Sequence, residues 1–263
     1  MIGLFKTNTR TMNQPTKNDS NIFVTLFARI WAFWGLFSFA TTFLIMFIPT
    51  MIPYLIPGVR GQYIFIQISR FWMWTWLHMI GCPIKIKGKE HFEKGKTYVI
   101  CYNHNALLDV PLSAPFVPGA NKTIAKASFA KVPLFGWFYR KGSVLVDRDD
   151  DVSKRKSYEE MKRTLLKGIH MCIYPEGTRN RSGEPLKKFQ GGAFKLAIDT
   201  KKDIIPTLIF GTTKAMPIHK PFYLLPTKLE MHFLPPVSSE GMGLRELMNK
   251  THDIMTTYYV AHQ

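Results

Sequence analysis

Two groups able to move a proton stand five residues apart. His104 and Asp109 bracket the segment NHNALLD at 103–109, which directly follows the β-branched and aromatic run TYVICY at 97–102. On a helix, positions five apart point about 140° away from each other. The pair therefore meets only where His104 precedes a helix and folds over its first turn. A carboxylate on one imidazole nitrogen fixes the tautomer and leaves the other nitrogen as a general base near neutral pH. The same Asn103 and Asp109 also suit plain helix caps. A second segment, YPEGTRNRSG at 174–183, follows the run MCIYP. Gly177 lets a ligand approach the backbone, Thr178 offers a hydroxyl, and the forked donors of Arg179 and Arg181 suit a phosphate. Glu176 is placed to hold an arginine or a substrate hydroxyl, and the ordinary alternative is a turn carrying surface arginines. In KGSVLVDRDDD at 141–151, Arg148 is placed to reach the same phosphate while Asp147 pairs locally. The triplet Asp149, Asp150 and Asp151 charges the first turn of the next helix and lacks the ligand spacing of a cation site.

The elements that must position these groups are short. Apolar and β-branched runs at 84–88, 97–102, 143–146, 171–175, 204–210 and 228–234 predict strands. Helical periodicity appears at 153–167, 192–199 and 244–259. This alternation predicts an α/β fold with a mixed sheet flanked by helices, whose ligand site lies beyond the carboxyl ends of the strands. Pro206 assigns the 204–210 strand to an edge or special position. The mixed basic and apolar stretch KASFAKVPLFGW at 126–137 suits either an acyl-chain groove or a packing loop.

Ahead of this domain no charged residue occurs from Ile30 to Val59, and residues 31–48 alone approach the ~20 apolar residues that cross a bilayer core. Pro49, Pro53 and Pro57 follow, then a second apolar stretch at 62–82 with Arg70 and Trp72, Trp74 and Trp76, a cluster suited to headgroup depth. A single crossing would put Lys6, Arg10, Lys17 and Arg29 on the side opposite a basic remainder, against the positive-inside bias. A hydrophobic helical hairpin resolves this, either spanning twice or dipping into one leaflet. The chain thus divides into a membrane-associated helical segment, 1–82, and an α/β catalytic domain, 83–263. Its 263 residues carry a formal charge of +17, which points to a polyanionic partner such as an anionic membrane surface. Nucleic acid is not expected, because no basic–aromatic interleaving of a nucleic-acid module occurs outside the membrane segment. Cys82, Cys101 and Cys172 are too scattered for a disulfide framework or a zinc knuckle and fit a reducing compartment.

The order NHxxxxD, glycine–apolar–DR, PEGTR and IIP resembles the glycerolipid acyltransferase family, most closely its bacterial 1-acylglycerol-3-phosphate acyltransferases, across residues 83–215. The resemblance implies that family's fold and the transfer of a fatty acyl group from an acyl carrier protein or coenzyme A thioester to the sn-2 hydroxyl of lysophosphatidic acid, giving phosphatidic acid. Glycerol-3-phosphate or a lyso-aminolipid is an alternative acceptor, and a non-catalytic membrane-anchored anion-binding module is a reading from another class. His104 would be the base and Asp109 its orienting partner. Arg148, Glu176, Thr178 and Arg179 match the phosphate-binding blocks. In KKFQGG at 187–192, which departs from the family's lysine-bearing run, that lysine is either shifted to Lys188 or lost. Because the thioester is already activated, the reaction needs positioning and deprotonation but no metal or resident cofactor. The Gly177 backbone N–H and the Lys126 side chain are the expected oxyanion donors. Asn105 and Ala106 replace a common Gln-Ser start after the histidine, a change that bears on acceptor preference. The expected location is the cell membrane, with the catalytic domain on the cytoplasmic face.

Overall fold

The computed structural model of the chain describes residues 22–262. Two helices, α1 (Ile22–Met51) and α2 (Gly58–Met79), form an antiparallel hairpin. The α/β portion that follows contains seven strands: β1 (Ile84–Lys87), β2 (Val99–Tyr102), β3 (Asn121–Lys126), β4 (Ser143–Val146), β5 (His170–Ile173), β6 (Ile204–Phe210) and β7 (Leu229–Phe233). They form one sheet in the order β1-β7-β6-β2-β5-β3-β4. The five strands from β6 to β4 pair in parallel, and the single antiparallel pairing is β6 with β7. The helices are α3 (Asp109–Ser113), α4 (Phe135–Gly142), α5 (Asp151–Leu166), α6 (Gly192–Thr200), α7 (Thr212–Ala215) and α8 (Leu244–Ala261). Parallel strands share one carboxyl edge, so the segments after β2 and β5, which pair directly, emerge side by side.

The hairpin turns at two of the three prolines, Pro49 lying inside the end of α1. Pro53 sits in a 3-10 turn, and Pro57, which lacks an N–H, immediately precedes α2. On α1 the small residues Ala28, Ala32, Gly35 and Ser38 are buried, allowing close approach of neighbouring backbone. A side chain at Gly35 would meet Leu224 at 2.7 Å. The orphan carbonyls at the end of α2 are satisfied by indoles of α1: Trp31 Nε1 donates to Ile80 at 2.9 Å and Trp34 Nε1 to Met79 at 3.1 Å.

The second helix differs from the expected headgroup-depth element. Trp72 and Trp76 are buried, their indoles donating to Thr42 Oγ1 and the Gly35 carbonyl of α1, while Trp74 is exposed. Arg70 is tied to the α/β portion, donating to the carbonyls of Pro115 and Val117 at 2.7 and 2.8 Å. These contacts make α2 a bridge between α1 and the sheet. Burial of Phe65, Met73 and Leu77 along it stabilises the fold by roughly 1.5–3 kcal/mol each. Although the sequence changes character at residue 82, Ala32, Phe43, Trp72 and Trp76 share one core with Ile100, Tyr102, Ile205 and Met231. Among the described residues a single helical stretch, Ile22–Leu55, is long and apolar enough to cross a membrane. Lys6, Arg10 and Lys17 lie outside the described residues.

The β4 and β6 strands occur at the expected residues, but β6 is interior, between β2 and β7. Pro206 has no N–H to give, but it stands one residue before the antiparallel ladder with β7 begins at Thr207, and its carbonyl accepts from Leu234 N at 2.9 Å. The remaining strand, β3, reads NKTIAK; its polar residues hide it from apolar patterning.

Candidate active site

The carboxyl end of β2 delivers His104 and the first turn of α3 delivers Asp109. Asp109 is fully buried, and its Oδ2 accepts three hydrogen bonds: from His104 Nδ1 at 2.9 Å and from the backbone N–H groups of Asn105 and Ala106 at 2.6 and 2.7 Å. One oxygen thus closes the loop and orients the imidazole. With Nδ1 bound to Asp109, Nε2 is the nitrogen left to act on a substrate from His104, whose ring is 15% exposed and lines a cleft. The ring packs on Tyr174 with centroids 4.3 Å apart, and the Tyr174 hydroxyl donates to the Asp109 carbonyl at 2.9 Å. Both flanks are also clamped. Asn103 exchanges two hydrogen bonds with the backbone of Ile209 in β6, at 3.0 and 2.7 Å, and the His104 carbonyl accepts from Asn180 N at 2.6 Å.

Glu176 departs from its expected role at a phosphate. It is 1% exposed. Its Oε1 accepts from His104 N at 2.7 Å and its Oε2 from Lys187 N at 3.1 Å. Both carboxylate oxygens are thus committed to backbone amides, and Glu176 ties the histidine loop to the segment after β5. Desolvation pushes its carboxyl up to about 7, against the lowering effect of the two amides and with a further upward push from Asp109. A carboxyl near 4.5 when unfolded and about 7 when folded binds more protons in the folded state between those values. Its contribution to stability is therefore present below pH ~4.5 and is lost as pH rises through ~7. Glu176→Gln is expected to flatten that part of the profile, which thermal unfolding of both proteins from pH 5 to 8 would check; parallel profiles would contradict the assignment.

The cleft, of about 580 Å³, is lined by His104, Thr178, Arg179, Arg181, Ser182 and Lys187. Thr178 and Arg179 are both part of this lining. The lysine differs by one residue: Lys187 lines the cleft and its Nζ donates to Thr178 Oγ1 at 2.8 Å, whereas Lys188 is exposed and outside the lining. Gly177 adopts φ +74°, a conformation suited to glycine. Its N–H is committed to the Tyr174 carbonyl at 3.0 Å, which removes it as an oxyanion donor. Arg148 donates to the Gly177 carbonyl, so it braces this loop from the end of β4 and does not line the cleft. Lys126 ends β3 with an exposed side chain, also outside the lining. Of the acid triplet, Asp150 caps α5, accepting from Val152 N and Ser153 N. Tyr174 and Lys187 complete the site without having been assigned roles from sequence, and Asn103 and Asn105, read there as a helix cap and as a residue bearing on acceptor preference, anchor the loop to Ile209 and Tyr259. The one available signal was their adjacency to the two motifs.

An open, largely parallel α/β sheet carrying an imidazole–carboxylate couple beside a basic cleft defines a class of site: one whose parts are able to take a proton from a group attached to an anion. Comparison with known proteins narrows the class. Residues 83–210 match the family model described as Acyltransferase. The chain is 32% identical over 193 residues to the 1-acyl-sn-glycerol-3-phosphate acyltransferase of Saccharomyces cerevisiae, covering 67% of this chain and 60% of the relative. It is 29% identical over 196 residues to the protein of that name from Cocos nucifera, covering 74% and 61%. With 1-acyl-sn-glycerol-3-phosphate acyltransferase alpha of Mus musculus the identity is 28% over 190 residues, covering 70% and 66%. The chain thus spans somewhat less than two thirds of the length of these relatives. Among solved structures, that of the 1-acyl-sn-glycerophosphate (LPA) acyltransferase PlsC from Thermotoga maritima shares the fold. The TM-score is 0.74 at 20% identity, over 91% of this chain and 96% of that one.

Proposed function

We propose that this chain is a membrane-bound 1-acyl-sn-glycerol-3-phosphate acyltransferase, forming phosphatidic acid from lysophosphatidic acid and an acyl thioester of acyl carrier protein or coenzyme A. The observation that carries the reading is the placement of His104, held from behind by Asp109, on the wall of a cleft also lined by Arg179, Arg181 and Lys187. His104 Nε2 takes the proton of the sn-2 hydroxyl as its oxygen attacks the thioester carbonyl. Collapse of the tetrahedral intermediate breaks the carbon–sulfur bond, and the departing thiolate receives the proton from the imidazolium. Asp109 supports that transient cation, while Arg179, Arg181 and Lys187 hold the acceptor's phosphate. The thioester enters as substrate, and the scheme calls on no resident cofactor or metal.

The hairpin supports attachment to one leaflet. At ~1.5 Å per residue α1 is about 45 Å long, more than the ~30 Å hydrocarbon core. It is braced near both ends: Leu224 N donates to the Ala28 carbonyl at 3.1 Å, and Lys141 Nζ to the Pro53 carbonyl at 2.9 Å. A perpendicular crossing would carry the α/β portion into hydrocarbon. Laid along the surface, α1 instead offers Phe23, Leu26, Ile30, Phe33, Ile45 and Ile48 to lipid, all exposed, with the positive charge drawing the chain to anionic headgroups. The proposed location is the cytoplasmic face of the cell membrane.

Lys187→Ala is expected to raise KM for lysophosphatidic acid about tenfold or more, the value of a lost charge-assisted hydrogen bond, with kcat little changed. Lys188→Ala is expected to stay within about twofold. Steady-state kinetics on both variants, with either thioester as donor and glycerol-3-phosphate as parallel acceptor, test the phosphate site and the acceptor together. An unchanged KM in Lys187→Ala would remove Lys187 from the phosphate site.

A further inference from the structure

The C-terminal helix reaches the catalytic loop from the face of the sheet opposite the membrane hairpin. Asn105, next to the proposed base, is 5% exposed, and its Nδ2 donates to the Tyr259 hydroxyl at 2.9 Å across 154 residues of sequence. The backbone N–H of the same residue donates to Asp109 Oδ2. One residue thus connects the orienting carboxylate to α8. The far partner is itself fixed: the Tyr259 ring stacks on Phe210 at the end of β6, with centroids 5.3 Å apart and planes at 14°. Next to it, the Tyr258 hydroxyl lies 3.1 Å from His232 Nδ1, His232 Nε2 lies 2.6 Å from Glu230, and Glu230 pairs with Lys87 at 2.9 Å. The last turn of α8 is therefore anchored to β7 and β1 independently of the loop it touches.

We propose that Tyr259 is a positioning residue for acyl transfer: through Asn105 it holds the His104–Asp109 loop in the orientation the reaction needs. The inference rests on the reading of His104 as the base. It assigns to the C-terminal helix, which lies wholly outside the matched acyltransferase segment, a role in the chemical step and none in substrate affinity. Neither Asn105 nor Tyr259 lines the cleft, so loss of their bond should act on turnover.

The test uses the full chain in lipid vesicles, comparing wild type with Tyr259→Phe, Asn105→Ala and the double variant. Tyr259→Phe keeps the ring on Phe210 and removes the one hydroxyl, which preserves folding. Each single change is expected to lower kcat about three- to tenfold, the range of one buried hydrogen bond, with KM for lysophosphatidic acid within about twofold. The double variant should fall no further than the weaker single one, because both remove the same bond. Hydrogen exchange across residues 103–109 should quicken in Tyr259→Phe. Unchanged exchange, wild-type kcat in Tyr259→Phe, or multiplying effects in the double variant would each overturn the proposal. Failure of the wild type to acylate lysophosphatidic acid would count against the proposed function alone, since exchange needs no substrate and judges the loop contact separately.

Discussion

His104→Ala is expected to lower phosphatidic acid formation about 10²- to 10⁴-fold, the span of a positioned general base, while the protein remains folded. The loop does not depend on the imidazole for its path. Glu176 and Asn180 hold the backbone N–H and carbonyl of residue 104, Asn103 stays locked to Ile209, and Asp109 keeps its two amide donors. The loss should fall in kcat, with KM for lysophosphatidic acid nearly unchanged, because Arg179, Arg181 and Lys187 are untouched. A variant that unfolds, or one that loses affinity while keeping its turnover, would place His104 in structure or binding and not in proton transfer.

Asp109 combines two duties, and its variants should separate them. Asp109→Asn retains an oxygen for the Asn105 and Ala106 amides but removes the charge that supports the imidazolium, so kcat is expected to fall about 10²- to 10⁴-fold. Asp109→Ala also leaves both buried amides without an acceptor, at roughly 1–3 kcal/mol each. The alanine variant should therefore unfold at a distinctly lower temperature than the asparagine variant while both are nearly inactive. Equal unfolding temperatures would show that the loop is held chiefly by Glu176, Asn103 and Tyr259.

What the sequence disclosed depended on how local the determining contact was. The His104–Asp109 couple was legible because its spacing and preceding strand force a loop-to-helix entry, and the two side chains meet at 2.9 Å. The backbone freedom of Gly177 was legible as well. The direction of its N–H was not, because that depends on a turn back to Tyr174. Glu176 read as a ligand group since a carboxylate beside glycine in a loop looks accessible. Its burial comes from the pairing of β2 with β5, which brings residue 104 over it from 72 positions away. The choice between Lys187 and Lys188 turned on the phase of an irregular segment, where no period assigns a face. In α2 the same tryptophans would suit a membrane interface, but α1 on one side and the sheet on the other bury Trp72 and Trp76. The polar strand β3 and the contact of α8 with Asn105 are products of tertiary packing and leave no local pattern.

The central claim is that this cleft joins a thioester acyl group to the hydroxyl of a lysophospholipid through His104. The most direct measurement supplies vesicle-bound protein with lysophosphatidic acid and isotopically labelled acyl thioesters of coenzyme A and of acyl carrier protein, and follows label into phosphatidic acid by mass spectrometry, wild type beside His104→Ala. The account predicts labelled phosphatidic acid from the wild type with at least one donor, and a rate at least about a hundredfold lower from the variant. Absence of product from folded wild type with both donors, or equal rates from the two proteins, would contradict it.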